Sequence, residues 1–143
     1  MMLRGLMLTL LLLAGGNVAL AEPVAVEMFK NPQCGCCDQY AKYLRRHGFR
    51  VEVKETHEMS RISRERGVPE KLAGCHTSVI DGYVVEGHVP VGAIRKLLSE
   101  RPRIKGISLP GMPEGSPGMT GEKAAPFEIL EITDGEEKIF AVE

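Results

Sequence analysis

The segment Cys34-Gly35-Cys36-Cys37 constrains this chain most, because of what stands on either side of it. Before it, Val24-Ala25-Val26-Glu27-Met28-Phe29 is a short, largely apolar run closed by Asn31-Pro32, the pattern of a buried strand. After it, Cys37, Tyr40, Ala41 and Leu44 recur at i, i+3, i+4 and i+7, with Lys42, Arg45 and Arg46 on the other side. That spacing predicts an amphipathic helix, with Gly48 where a left-handed cap would close it. Cys34 and Cys37 therefore form a C-x-x-C pair at a helix N-terminus. The helix dipole and free N–H groups there favour thiolate over thiol.

Strand, C-x-x-C and helix in that order are the arrangement of thiol–disulfide oxidoreductases, and they predict an α/β, thioredoxin-like domain. The rest of the chain agrees. Phe49, Val51 and Val53 alternate with charged residues as a half-buried strand does. A polar helix is expected from about His57 to Arg66, ending at Gly67-Val68-Pro69. Thr77–Ile80 and Tyr83–Val85 flank Asp81-Gly82, a strong hairpin signal. Pro90, followed by Ile94, Leu97 and Leu98, opens a short helix that stops before Pro102.

From Gly106 to Pro126 the composition turns Gly- and Pro-rich and reads as one long loop. A second hairpin follows, with Phe127–Ile132 and Lys138–Val142 around Asp134-Gly135. The loop is thus tethered at both ends, which favours a functional role over disorder. The organisation expected is a signal peptide at 1–21, a thioredoxin-like domain at 22–104, and a C-terminal extension at 105–143. That extension consists of the Gly/Pro/Met loop and the β-hairpin, packed on the same domain.

The signal peptide rests on three parts in order. Met1-Met2-Leu3-Arg4 gives a positive start, Leu6–Ala14 an apolar run, and Ala19-Leu20-Ala21 the small residues of a cleavage site. Cleavage after Ala21 would leave 122 of the 143 residues, with all four cysteines and a net charge of −2. No segment beyond it is long and apolar enough to span a bilayer. The expectation is a periplasmic protein with no stable membrane insertion, in a compartment where thiols tend to oxidise. Near-neutral charge excludes a phosphate-backbone binder, so nucleic acid is not an expected partner.

Cys36 places a third thiol inside the motif, and Cys75 stands just before the first hairpin strand. In a thioredoxin-like topology the chain entering that strand passes beside the motif. A redox pair needs only Cys34 as nucleophile and Cys37 as resolving thiol. Four clustered thiolates suit Cu(I), Zn(II) or an iron–sulfur centre. Two structural disulfides are the plainer alternative in an exported domain. Met112 and Met119, each preceded by Gly in the tethered loop, are either soft ligands or apolar plugs. His76 and His88 lie near the same end and either bind metal or cap strand ends. His47 precedes a helix-ending Gly, where a cation complements the dipole, and is a poor ligand candidate, while His57 opens the polar helix and reads as exposed.

With those residues in view, the chain resembles the CopG family, small periplasmic proteins of bacterial copper-resistance clusters and long a domain of unknown function. The resemblance runs over essentially the whole of residues 22–143. It is carried by Cys34-Gly35-Cys36-Cys37, Gly74-Cys75-His76-Thr77, Asp81 to Pro90 (DGYVVEGHVP) and Leu109 to Met119 (LPGMPEGSPGM). It implies a thioredoxin-like domain whose C-terminal extension contributes to metal binding, and copper ions clustered and sulfur-bridged at the C-x-C-C motif. It further implies interconversion of Cu(I) and Cu(II) beside efflux machinery. Carried over, Cys34, Cys36, Cys37 and Cys75 are the expected thiolate ligands, joined by His88, Met112 and Met119. Periplasmic efflux or chaperone components are the expected partners, and a monomer the expected state. A thiol–disulfide oxidoreductase and a non-redox Cu(I) chaperone are the alternatives.

Overall fold

The structure, a computed structural model, describes residues 22–143. The signal peptide expected at 1–21 lies outside the described residues. In chain order the elements are β1 (Ala25–Lys30), α1 (Gly35–Arg46), β2 (Arg50–Glu55), α2 (Met59–Glu65), a 3-10 turn (Glu70–Leu72), β3 (His76–Ile80), β4 (Tyr83–Gly87), α3 (Val91–Glu100), β5 (Gly106–Leu109), β6 (Glu128–Ile132) and β7 (Ile139–Val142). The strands make one mixed sheet in the order β2-β1-β3-β4-β5-β6-β7. No helix among the described residues is long and apolar enough to cross a membrane.

The periodicity of α1 holds as the spacing predicts. Cys37, Tyr40, Ala41 and Leu44 are its buried residues, and Gly48 follows at φ +88°. With Ala93, Ile94 and Leu97 of α3 they cover one sheet face, packing on Met28, Ile80, Val85 and Ile107. Burial of each large aliphatic side chain stabilises the fold by about 1.5–3 kcal/mol before entropy is counted. The opposite face carries α2 and a smaller cluster of Val68, Leu72, Val84 and Ile132. That face is polar beneath α2, where the Ser63 and Thr77 hydroxyls are 3.0 Å apart.

The β3–β4 hairpin turns at Asp81 (φ +49°) and Gly82 (φ +85°), both left-handed as a two-residue turn requires. One expectation fails. Gly106–Leu109 is no part of the loop but a fully buried strand, parallel to β4 and antiparallel to β6. Four residues are too few to show alternation, and Gly106 masks strand propensity. The glycine is needed there: a Cβ would lie 1.8 Å from the Val84 carbonyl oxygen. The loop is therefore shorter, starting at Pro110.

Strand directions decide where the site forms. β1 runs into the turn that starts α1, and β3 runs antiparallel to it with His76 paired to Lys30. The start of β3, and so Cys75, therefore lies beside the start of α1. β4 returns antiparallel to β3 and ends at Gly87, bringing His88 to the same sheet end. β5 is parallel to β4 with Leu109 opposite Gly87, so the loop leaves from that end too.

Candidate metal centre

The turn into α1 is pinned from below by Lys30. Its buried ammonium lies 3.1 Å from Asp38 and 3.5 Å from Glu55, and donates to the Pro32 carbonyl at 3.3 Å. Cys34 is the residue that caps α1, and Cys34 N–H donates to the Asn31 carbonyl at 3.0 Å. Cys34 and Cys37 are joined as a disulfide, while Cys36 and Cys75 are free. Cys36 Sγ lies 3.4 Å from Cys34 Sγ and 4.0 Å from Cys75 Sγ. All four sulfurs fall within 4.8 Å of one another.

A second group, Cys75, His76 and His88, shares the Cys75 sulfur with the first. Cys75 Sγ is 3.2 Å from His88 Nε2 and 3.4 Å from His76 Nδ1. His88 Nδ1 is 2.7 Å from the Pro117 carbonyl oxygen. A carbonyl only accepts, so Nδ1 carries the proton and the Nε2 lone pair faces the sulfur. That is the tautomer a metal-binding imidazole needs, fixed by the bond on its other nitrogen. The Tyr40 ring backs both imidazoles, 4.6 Å from His76 and 5.3 Å from His88, and its hydroxyl donates to the Val89 carbonyl at 2.8 Å.

Burial governs the protonation of these groups. It pushes the Cys75 thiol up to about 12, with the Cys36 sulfur adding to the effect. It lowers His76 to about 3, helped by His88, and lowers His88 as well. At neutral pH the imidazoles are thus uncharged donors, and Cys75 would give up its proton to a cation that took its place. The His76 Nε2 atom has no hydrogen-bond partner. Up to four sulfurs and two neutral imidazoles are a soft to borderline donor set, with no carboxylate in either group, which fits Cu(I) or Zn(II) rather than a hard cation. In the disulfide form two sulfurs are tied up; reduction releases Cys34 and Cys37 to the set.

The loop closes over this end. Gly118, at φ +88°, sits so near α1 that a Cβ would lie 2.7 Å from Tyr40 N and 3.0 Å from the Cys36 carbonyl oxygen. Beside it an open cleft of about 310 Å³ is lined by Gly35, Cys36, Gln39, Gly118, Met119 and Thr120. Met119 therefore shares a cleft with Cys36. Met112 is 39% exposed and is not among the residues lining that cleft. His57 is exposed, as its position in the sequence implies, and so is His47 at the end of α1. Larger clefts lie between the loop and β6 and beside α1 and β2, but neither is lined by Cys, His or Met.

Two features went unread in the sequence. The Pro117 carbonyl sets the His88 tautomer, and no side-chain pattern reports a backbone acceptor. Glu86 is fully buried on β4 with its carboxyl raised to about 7 by burial, an effect held back by the Gly74 N–H and by the Thr77 and Ser63 hydroxyls. Its signal was present: an acid sharing a strand face with Val84 inside an apolar hairpin.

A family described as a protein of unknown function, DUF411, matches residues 72–119, which span Cys75, His88 and most of the loop. Among curated protein sequences none matches the chain. Two solved structures described as copper resistance protein CopG, forms 1 and 2, are similar along most of its length. Each is 40% identical with a TM-score of 0.78 and covers 85% of this chain, which spans 98% of form 1 and 99% of form 2. With its mixed α/β fold shared and most of its length aligned at that identity, the chain belongs to the family of copper resistance protein CopG.

Proposed function

We propose that this chain is a periplasmic copper-binding redox protein of copper resistance, holding more than one copper ion at its cysteines and interconverting Cu(I) and Cu(II). The observation that carries the reading is the gathering of four sulfurs within 4.8 Å at one helix end, with His88 Nε2 aimed at one of them. Thiolates stabilise Cu(I). Cysteine sulfurs shared between coppers would spread the charge left when an electron passes to an acceptor. Cys34, Cys36, Cys37, Cys75 and His88 are the proposed ligands, with Met119 and Met112 contributed by the loop.

Sheet order β2-β1-β3-β4, with α1 and α3 on one face and α2 on the other, supports reading residues 22–104 as a thioredoxin-like domain. Residues 105–143 are then an extension that adds three strands to its edge and the loop to its site. A cleaved signal peptide, a monomeric state and efflux or chaperone partners complete the proposal.

The Cys34–Cys37 disulfide favours a second reading, a thiol–disulfide oxidoreductase with Cys34 as nucleophile and Cys37 as resolving thiol. One experiment separates the two. The reduced protein is titrated anaerobically with Cu(I), coppers per chain are counted, and the optical spectrum is followed on oxidation. More than one copper with reversible oxidation supports the redox cluster. A single copper that never changes state leaves a chaperone. No tight binding, with insulin reduction intact in Cys36→Ser and Cys75→Ser, leaves the disulfide reading.

A further inference from the structure

Glu86 is a carboxyl that the metal centre does not touch, yet it is 0% exposed, and leaving such a group unpaired in an apolar surrounding is costly. It stands on the α2 side of the sheet, opposite Thr77 of β3 and Ser108 of β5. Its Oε1 accepts the Gly74 N–H at 2.8 Å; the Thr77 and Ser63 hydroxyls lie near the carboxyl but bond to each other at 3.0 Å, and Oε2 makes no hydrogen bond. Gly74 is the residue before Cys75. A Cβ on Gly74 would lie 3.0 Å from Gly87 Cα and 3.1 Å from Gly87 N, so the two chain corners meet backbone to backbone. One corner delivers Cys75 and the other His88, and the sulfur and Nε2 end 3.2 Å apart.

Outside that grip, Gly74 has little to hold it. The residue lies ahead of β3, beyond the ladder with β4, and the 3-10 turn before it ends at Leu72. Cys75 itself is half-buried and free. We propose that Glu86 is the positioning residue for Cys75: its hold on the Gly74 N–H, from behind the sheet, sets the fourth sulfur against His88 and within reach of the C-x-C-C thiols. The consequence for copper rests on the function proposed above, but the placement of the thiol does not. The group needed is an acceptor of the right length. Glu86→Gln keeps one, whereas Glu86→Met fills the same space without it.

The test compares wild type, Glu86→Gln and Glu86→Met as reduced, copper-free protein. Iodoacetamide labelling of each cysteine is followed by peptide mass mapping, with thermal unfolding as the check on folding. Gln is expected to label at Cys75 within about twofold of wild type, and Met about tenfold faster, with Cys34, Cys36 and Cys37 unchanged. In the same series the Cu(I) affinity of the Met variant falls about tenfold, and its loaded spectrum shifts. A folded Met variant with wild-type Cys75 labelling overturns the proposal, as does equal acceleration at all four cysteines, which would mean general loosening. Should Met fail to fold, amide exchange in the wild type decides. A Gly74 N–H exchanging as fast as an unbonded amide sinks the idea; a protected one upholds it. A wild type that binds no copper would end the copper reading and leave the labelling comparison intact.

Discussion

The two banks of the candidate metal centre are built by different means. On one, Cys34, Cys36, Cys37, Cys75 and His88 sit where a helix starts and three strands begin or end, so regular hydrogen bonding places them. On the other, Met119 is carried by an irregular loop tied internally by short-range bonds, Ser116 N–H to the Pro113 carbonyl at 3.2 Å and Met119 N–H to the Ser116 carbonyl at 2.9 Å. The banks are joined by the His88–Pro117 bond and by the close approach of Gly118 to α1. One bank keeps its geometry as long as the sheet is intact. The other depends on a small number of contacts, and it can be lifted without unfolding the domain.

The largest effect should therefore come from Gly118→Ala. The added methyl meets backbone on two sides, which a rotamer change cannot relieve, and φ +88° disfavours any side chain. Strain and overpacking together cost on the order of 3 kcal/mol against the docked loop. Protease cleavage within 110–126 should accelerate about a hundredfold, and Cu(I) affinity should fall, while the melting temperature moves by only a few degrees. Gly111→Ala is the control, at φ +81° but with nothing within 4 Å of the new atom, and its effect should be clearly smaller. Equal effects would mean that docking against α1 is not what holds the loop.

The fixed bank was legible in the sequence for a physical reason. Helix α1 shows itself through apolar spacing, and the strand–helix order around the cysteines already implies that a following hairpin starts beside them. The meeting of Cys75 with the C-x-C-C sulfurs, and His88 at the same end, follow from strand directions alone. The loose bank was not legible in this way. Nothing local in Gly118 says that it will touch Tyr40, 78 positions earlier, nor does Pro117 announce the imidazole it fixes. The four residues of β5 carry no period, and burial of the Glu86 carboxyl is decided by neighbours distant in sequence, Gly74 and Ser63.

Acid and base should act on the fixed bank through buried groups of opposite sign, Glu86 on one side and His76 with His88 on the other. Glu86 has a folded value near 7 against an ordinary 4.5, so its stabilising contribution is complete below pH 4.5 and is lost as pH rises through 7. His76 has a folded value near 3 against 6.5, so its contribution is complete above pH 6.5 and is lost as pH falls toward 3. Between pH 4.5 and 6.5 the Glu86 slope opposes that of His76, to which His88, also lowered by burial, adds, so the copper-free protein should show a shallow dependence there and a steep loss below it. Glu86→Gln removes one slope. Its stability by urea unfolding should then rise with pH more steeply than that of wild type, by about 1.4 kcal/mol per unit across that window, on the order of 2–3 kcal/mol in all. A variant whose stability runs parallel to that of wild type across this window would mean that Glu86 keeps its ordinary titration in the folded protein.

The smallest effect tests the loose bank residue by residue. Met119 and Met112 follow glycines seven positions apart, and the sequence offers no ground for ranking them. The structure does rank them: Met119 lines the cleft with Cys36, whereas Met112 lies outside it and is 39% exposed. Replacing either by Leu keeps the volume and removes the thioether, so packing is disturbed by less than about 1.5 kcal/mol. Met119→Leu should weaken Cu(I) binding about tenfold in a chelator competition, close to 1.4 kcal/mol. Met112→Leu should leave it within about twofold. If Met112→Leu proved the costlier change, the loop would have to rearrange on binding copper, and its outer half, not the Gly118 contact, would be the part that completes the site.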